Sequence, residues 1–575
     1  MDDRPPPQDT RLEPENAVKL WLKGRDIWNL WVSENPNADI NFLNVNFNEI
    51  PLKIGKLSEN DAECNVFSFD GFNFPKGLTD FSGANFGYGV SFENAHFGNG
   101  YKRFNFTKFG NNTSFKNATF GTGDISFHGS TFADPDIGTG VGYANFIDTK
   151  FGDGDVDFMF VQFGPVTVNF SGAFFGTGKI CFDDVQFGDV GFAGTNFGDG
   201  DTTFFDSSIS DQGITFGNAK FGRGFIGFCG TNFGNGEIDF QGTNFGEGYI
   251  NFSGAIFGKG ITNFKCSIFP ADEVNFSYCH FNGNKTDFSK ADFGGSIVNL
   301  SHSTFDSYTK FSNLLNSQNI KTLDLSHSTF NKTLDLSLND FHMVPDLTCI
   351  DTSHPISLDY FIINPKLKSN KNILRSLIAL VIILWSGIRS LKSTYKLVVI
   401  SLPMNQWLNQ VTFKDNTDTE RIRKLKQIAE ENKDHSKALD LHVLELKSKR
   451  WHENTNRTAL FGEFLFDIFS DYGRSELRPI VSMFSLGLVF SPLYALSATN
   501  PDINILNKIQ YSLTFSYSQI LPLLQSSRLA QGSASKLLYA EQVPNWLFLF
   551  TGFQNIASLI LIFLLGLCLR NRFRI

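Results

Sequence analysis

Between Phe216 and Phe293, phenylalanine recurs at alternating steps of five and seven residues, the clearest stretch of a pattern that begins at Phe81. The pair of steps repeats every 12 residues, and short phrases travel with it. Gly194-Thr195-Asn196-Phe197-Gly198 returns at 230–234 and 242–246, and Ser301-His302-Ser303-Thr304-Phe305 returns at 326–330. A fixed period confines a chain to stacked repeats, because each unit must give equivalent residues equivalent surroundings. Two units make one coil of about 24 residues.

The position two before each Phe is also restricted. After the five-residue step it is small (Ala84, Ala95, Ala118, Thr231, Thr243, Ala255, Ala291); after the seven-residue step it is usually β-branched (Val168, Ile180, Ile226, Ile238, Ile250, Val274). A polar residue lies between. Alternation of this kind puts Phe and its partner on one face of a short strand and the polar residue on the other. Gly-x-Gly after many Phe residues, as in Gly246-Glu247-Gly248 and Gly258-Lys259-Gly260, is expected to supply positive φ at a widened corner. Coils of this kind must stack to bury their apolar faces, at a rise of about 4.8 Å that suits offset ring packing. The expected fold is a β-solenoid, a right-handed quadrilateral β-helix of about a dozen coils.

These residues resemble the pentapeptide-repeat family. Its unit of Ala, Asn or Asp, and Leu or Phe is matched by Ala84-Asn85-Phe86-Gly87 and Ala291-Asp292-Phe293-Gly294, and the resemblance covers roughly residues 65–350. The seven-residue side departs from that unit. Trp21, Gly24, Trp28 and Trp31, followed by Asn35-Pro36, resemble the helix that precedes the repeats in bacterial membrane members. The tryptophans fall on one helical face, and the helix is expected to cap the open edge of the first coil.

Charge divides the chain. Residues 41–360 carry about 35 acids against about 18 bases, whereas residues 361–575 come to about +11. Asp418–Trp451 has helical periodicity and no Gly or Pro, which predicts one long amphipathic or connector helix. Pro479–Ala498 and Trp546–Leu569 are uncharged and long enough to cross a bilayer, making an α-helical transmembrane module. Leu377–Ile388 is shorter and fits an interfacial or buried helix better. Arg474 and Arg478 precede the first span, and Arg570, Arg572 and Arg574 follow the second, so both flanks are expected in the cytoplasm.

The stretch Ser470-Asp471-Tyr472-Gly473-Arg474-Ser475 and the ending Leu567-Cys568-Leu569-Arg570-Asn571-Arg572-Phe573-Arg574 resemble the C-terminal module of the same bacterial membrane proteins. The resemblance implies a distant likeness to two-helix ion-channel pore domains, with a re-entrant segment between the spans. Here that is 511–524, which includes Gln519 and Pro522 but lacks the Thr-Val-Gly-Tyr-Gly carbonyl ring of potassium filters. Gln554 and Asn555 sit inside the second span, where amides must bond another helix or face water.

The resulting division is a capping region (1–50), a solenoid (51–360), a linker with connector helices (361–470) and a two-span module (471–575). Competing motifs are weaker. Gly138-Thr139-Gly140-Val141-Gly142 has no helix after it and reads as a corner rather than a dinucleotide loop. Gly152-Asp153-Gly154-Asp155-Val156-Asp157 lacks the paired glycines of calcium-binding β-roll turns. His302 and His327 read as solvent-facing neighbours on adjacent coils, and Cys181, Cys229 and Cys266 as small core fillers. Asp471, Arg474 and Arg478 read as residues flanking a helix start. No catalytic constellation stands out, so the expectation is no enzyme, no cofactor and no metal.

At 64 Phe, about one residue in nine, the composition excludes disorder. Seven scattered cysteines exclude a disulfide scaffold. Met1 opens onto acidic and Pro-rich residues, so a secretory leader is not expected. The expected protein is a multi-pass cytoplasmic-membrane scaffold presenting an acidic solenoid to a protein partner in the cytosol. A channel-like or transport-associated pore is the first alternative, with homo-oligomerisation left open. A DNA-mimicking regulator of a DNA-binding enzyme is the second; nucleic acid itself is not an expected partner.

Overall fold

The computed structural model describes residues 11–50, 66–132, 142–364, 417–449, 457–521, 524–540 and 543–573. They belong to two compact units, 1–365 and 366–575. The Gly138–Val141 corner, Leu377–Ile388, Trp451, Pro522 and Arg574 lie outside the described residues.

Residues 11–363 form a β-solenoid of about 14 turns. Two of its sides are parallel ladders of 13 short strands each, and the other two are narrower ladders of paired bridges and short strands. In the regular stretch each coil advances 24 residues: Ile226 pairs with Ile250, Ile250 with Val274, and Ile238 with Thr262. Other coils are longer, as where Thr113 lies opposite Ala144 and Ile40 opposite Thr79. The ladder begins at Arg11 and Asp39, inside the stretch assigned from sequence to the cap.

The alternation works as its spacing predicts. Phe228, Phe240, Phe252 and Ala255 are fully buried, as are Ile238 and Ile250. Rings stack along each column, Phe228 on Phe252 at 4.7 Å and Phe252 on Phe276 at 4.6 Å. Across the core the columns meet edge to face, as Phe228 does with Phe240 at 5.9 Å. Both geometries are favourable for aromatic quadrupoles.

The polar residues have structural work as well. Asp239 and Asn251 each accept the backbone N–H two residues on, at 2.9 Å, turning the chain at the corner. When the small inward residue carries a hydroxyl, it donates to the Phe carbonyl of the preceding coil: Thr231 to Phe204 at 2.7 Å, Thr243 to Phe216 at 2.8 Å. Buried carbonyls gain a second partner without widening the core.

The glycine expectation needs correction. Positive φ recurs at the tight corner after the five-residue side begins, on Gly254, Tyr278, His302 and His327 alike. At the widened corner Gly246 has positive φ, but Gly258 and Gly260 do not. Their requirement is space: a Cβ on Gly258 or Gly260 would collide with the carbonyl of Gly234 or Gly236 in the coil beneath.

The N-terminal helical region is two helices, α1 (Pro14–Trp21) and α2 (Arg25–Glu34), broken at Gly24 where φ is +97°. Trp21 stacks on Phe69 at 5.4 Å and Trp28 on Phe42 at 6.0 Å, and their indole N–H groups donate to the carbonyls of Ser68 and Asn73. Both are buried; Trp31 is half-buried.

The second unit is helical. The expected single connector is a hairpin of α3 (Asp418–Glu431) and α4 (His435–Lys449), reversing at Lys433 with φ +59°. Next come α5 (Arg457–Ser470), α6 (Leu477–Leu496), α7 (Ile505–Ser518), α8 (Gln525–Tyr539) and α9 (Leu547–Arg572). Helices α6 and α9 are long and apolar enough to cross a membrane.

Candidate functional site

The polar chemistry of the helical unit gathers in two places, a charged turn before α6 and a seam between α6, α7 and α9. Asp471, Tyr472 and Gly473 hold consecutive positive φ values of 47°, 55° and 81°. Ser470 anchors this reversal: its carbonyl accepts the N–H of Arg474 at 3.1 Å and of Ser475 at 3.0 Å. Asp471 lies buried beneath three cations, Arg474 at 2.7 Å, Lys447 at 3.3 Å and Arg478 at 3.8 Å. Burial alone would raise its pKa, but Lys447, Arg474 and Arg478 outweigh it and hold the carboxyl below its ordinary value. Burial works against the Arg474 cation, but the charges of Asp471 and Asp440 leave it held more firmly than usual. Tyr472 is buried edge-on to Phe466 at 5.3 Å.

Asp471 and its arginines therefore do more than flank a helix start. They join α4, through Lys447 and Asp440, to the first residues of α6. The end of α9 docks on the same turn: Asn571 donates to the Gly473 carbonyl at 3.3 Å, and Arg572 pairs with Glu476. Arg570 is exposed.

The seam lies between the apolar helices. Gln554 is fully buried; it accepts from the Tyr494 hydroxyl at 2.7 Å and donates to the Ser516 carbonyl at 2.9 Å. Helix α7 packs against α6 with Ser512 beside Ser491 at 3.1 Å and Ser516 donating to the Gly487 carbonyl at 2.7 Å. Tyr517 reaches the Phe484 carbonyl at 3.1 Å. Successive contacts on α7 thus meet earlier and earlier residues of α6, and α8 returns so that Tyr539 bonds the Tyr494 carbonyl at 3.2 Å. The pair α7–α8 is a helical hairpin whose turn begins at Gln519. The expected segment 511–524 covers the second half of α7 and the turn.

Asn555 and Gln554 do not share a fate. Gln554 is satisfied within the chain, whereas Oδ1 of Asn555, Oγ of Ser558 and both amide atoms of Gln519 are buried without a hydrogen-bond partner among the described residues. Sequence reasoning missed Tyr494 and the serines. Their signal was present in Gly487-x-x-x-Ser491 and Ser512-x-x-x-Ser516, small residues at helical spacing that let backbones approach.

The solenoid's candidates resolve differently. Asp155 accepts the backbone N–H of Lys179 in the next coil at 2.7 Å, and Asp157 accepts that of Met159 in its own turn at 2.8 Å, so both serve the coil backbone. Among the described residues no group of three His, Cys, Asp or Glu side chains is gathered for a metal. His302 and His327 are exposed and stack at 4.9 Å. Cys266 is exposed and Cys181 and Cys229 are half-buried, so none fills the core; Cys279 does, donating to the Phe252 carbonyl. No family model matches the chain, and no curated protein matches it.

Proposed function

We propose that this chain is a membrane-anchored, non-enzymatic scaffold that presents a rigid acidic solenoid to the cytosol for a protein partner. The observation carrying it is the exposure of α6 and α9, whose most apolar windows are only 22% and 28% buried. A core helix of a soluble protein would be mostly covered. Phe484, Val489, Phe553 and Phe563 instead face outward at 60–70% exposure, a surface suited to lipid. The resemblance to membrane-anchored pentapeptide-repeat proteins supports the same reading, and the charge near −17 on residues 41–360 suits a basic partner surface.

A channel-like role is the second reading, favoured by the α7–α8 hairpin between α6 and α9 and its polar turn at Gln519. Reconstitution of the full chain in liposomes separates them. A monomer or dimer without ion flux above empty vesicles supports the scaffold; a higher oligomer that conducts overturns it.

A further inference from the structure

One of the two 13-strand sides of the solenoid carries Thr202, Ile226 and Ile250 as inward residues, so the residues before and after each face outward. Most outward positions near them are short and polar, such as Thr203, Asn251 and Asn275. Three are aromatic. Phe225 and Tyr249 lie on adjacent coils with ring centroids 5.4 Å apart and 25° between their planes, and Phe205 lies 6.1 Å from Phe225. All three are half-buried. Gly227 accounts for how they lie: a Cβ there would come within 2.5 Å of Phe205 Cε1 and 2.9 Å of Phe225 Cε1. The missing side chain lets both rings fold over bare backbone as a platform. Carboxylates border it. Asp201 accepts the Phe225 N–H and Asp183 the Phe205 N–H, each at 2.9 Å. Glu273 follows Tyr249 in the ladder, as the pairing of Ile250 with Val274 requires, and Asp206 adjoins Phe205 in the chain. Of the neighbouring bases, Arg223 is paired with Glu247 at 3.4 Å and Lys179 stands on the coil before Asp201.

We infer that Phe205, Phe225, Tyr249 and the carboxylates of Asp201 and Glu273 form a docking site for an arginine-bearing segment of a protein partner. A guanidinium is planar, weakly hydrated and permanently charged; its face stacks on aromatic rings while its edge donates to carboxylates. The column Asp201, Phe225, Tyr249, Glu273, with a rise of about 4.8 Å per coil, offers ring and carboxylate within the span of one arginine. The N–H that Asp201 accepts fixes the direction of its carboxylate and leaves capacity for a second donor. A lysine has no flat face and gains only the charge attraction. A neutral sugar gains the stacking but leaves the charge of the bordering carboxylates unanswered. The site deepens the scaffold reading by naming the chemistry of the solenoid's partner, and it rests on that reading only in taking the partner to be a protein.

Titration of the purified full chain in detergent, at physiological salt, with fluorescent oligo-arginine and oligo-lysine peptides of equal length tests it. Saturable binding is expected, about fivefold tighter for oligo-arginine. Phe225→Leu and Tyr249→Leu keep the platform apolar but remove a π face, and each should erase most of the preference with an unaltered melting curve. Asp201→Asn, which keeps an oxygen for the Phe225 N–H, should weaken both peptides several-fold. Glu237→Gln, at an exposed position on the other 13-strand side, should bind as the parent does. Equal affinity of the parent for the two peptides overturns the site. So does a preference that survives in folded Phe225→Leu and Tyr249→Leu, or undiminished binding by Asp201→Asn. A parent that binds cellohexaose and neither peptide overturns it in favour of a sugar platform. A conducting higher oligomer that still prefers oligo-arginine would overturn the scaffold reading and leave this site standing.

Discussion

Lys102 occupies a ladder position held on neighbouring coils by Thr79, Ile125, Val156 and Ile180, facing the phenylalanine core. It is 1% exposed, and its ammonium has no hydrogen-bond partner among the described residues. Burial lowers its pKa from 10.5 to about 8, against the attraction of Asp124. The folded state thus binds this proton more weakly than the unfolded chain. The penalty is complete below pH 8 and is relieved as pH rises toward 10.5. Lys102→Ile should stabilise the solenoid by about 2–3 kcal/mol at pH 7, and the gain should shrink between pH 8 and 10; a denaturation series on both proteins measures it. The register has its own test. Ala255 is buried against stacked rings, so Ala255→Arg should cost several kcal/mol, while Gln241→Arg at an exposed corner should cost within about 0.5 kcal/mol. Equal melting of the two variants would refute the inward assignment.

Among the elements, the α3–α4 hairpin is held by Glu445, buried between Lys426 at 2.8 Å, Lys449 at 2.9 Å and Arg423 at 3.3 Å. Burial opposes ionisation, but Lys426 and Lys449 bring the pKa down to about 2. Its stabilisation is present above the ordinary value near 4.5 and is lost as pH falls toward 2. Glu445→Gln should cost about 2 kcal/mol near neutrality and flatten that acid limb, read by hydrogen exchange of residues 418–449. The hairpin was missed because no Gly or Pro marks its reversal at Lys433; the signal was Asn432, which ends α3, and Asp434, which accepts the N–H of Lys437 at 2.9 Å at the start of α4. The solenoid strands were legible because a period of 12 repeats one burial decision many times, so errors at single residues do not matter. The corner glycines were misread at Gly258 and Gly260, since close approach to the coil beneath is a property of stacking that one coil does not encode. The seam was half legible: Gln554 and Asn555 announced themselves as amides in an apolar run. Which of the two is satisfied depends on Tyr494 and Ser516, more than 35 residues away in sequence.

For the molecule as a whole, the open question is which side of a membrane each part faces, and the helical unit constrains the answer. The start of α6 and the end of α9 are tied together by Asn571 on Gly473, Cys568 on Ser475 and Arg572 on Glu476. If both helices cross a bilayer, an antiparallel pair joined at that end puts both flanks on one side and residues 497–546 on the other. Arginine is concentrated at the joined end, in Arg474, Arg478, Arg570 and Arg572, which favours the cytoplasm there. Reporter fusions placed after Ile575 and before Leu12 should therefore both score cytoplasmic, and one inserted near Ser533 should score external. The two terminal results are separable in meaning. A C-terminal reporter on the outside would carry the charged turn at Asp471 outside with it, because the two are joined. If the N-terminal reporter stayed cytoplasmic, the chain would then have to cross once more before Ser470, and Leu377–Ile388 is the apolar stretch available for that crossing. That outcome would replace the two-span anchor with three crossings.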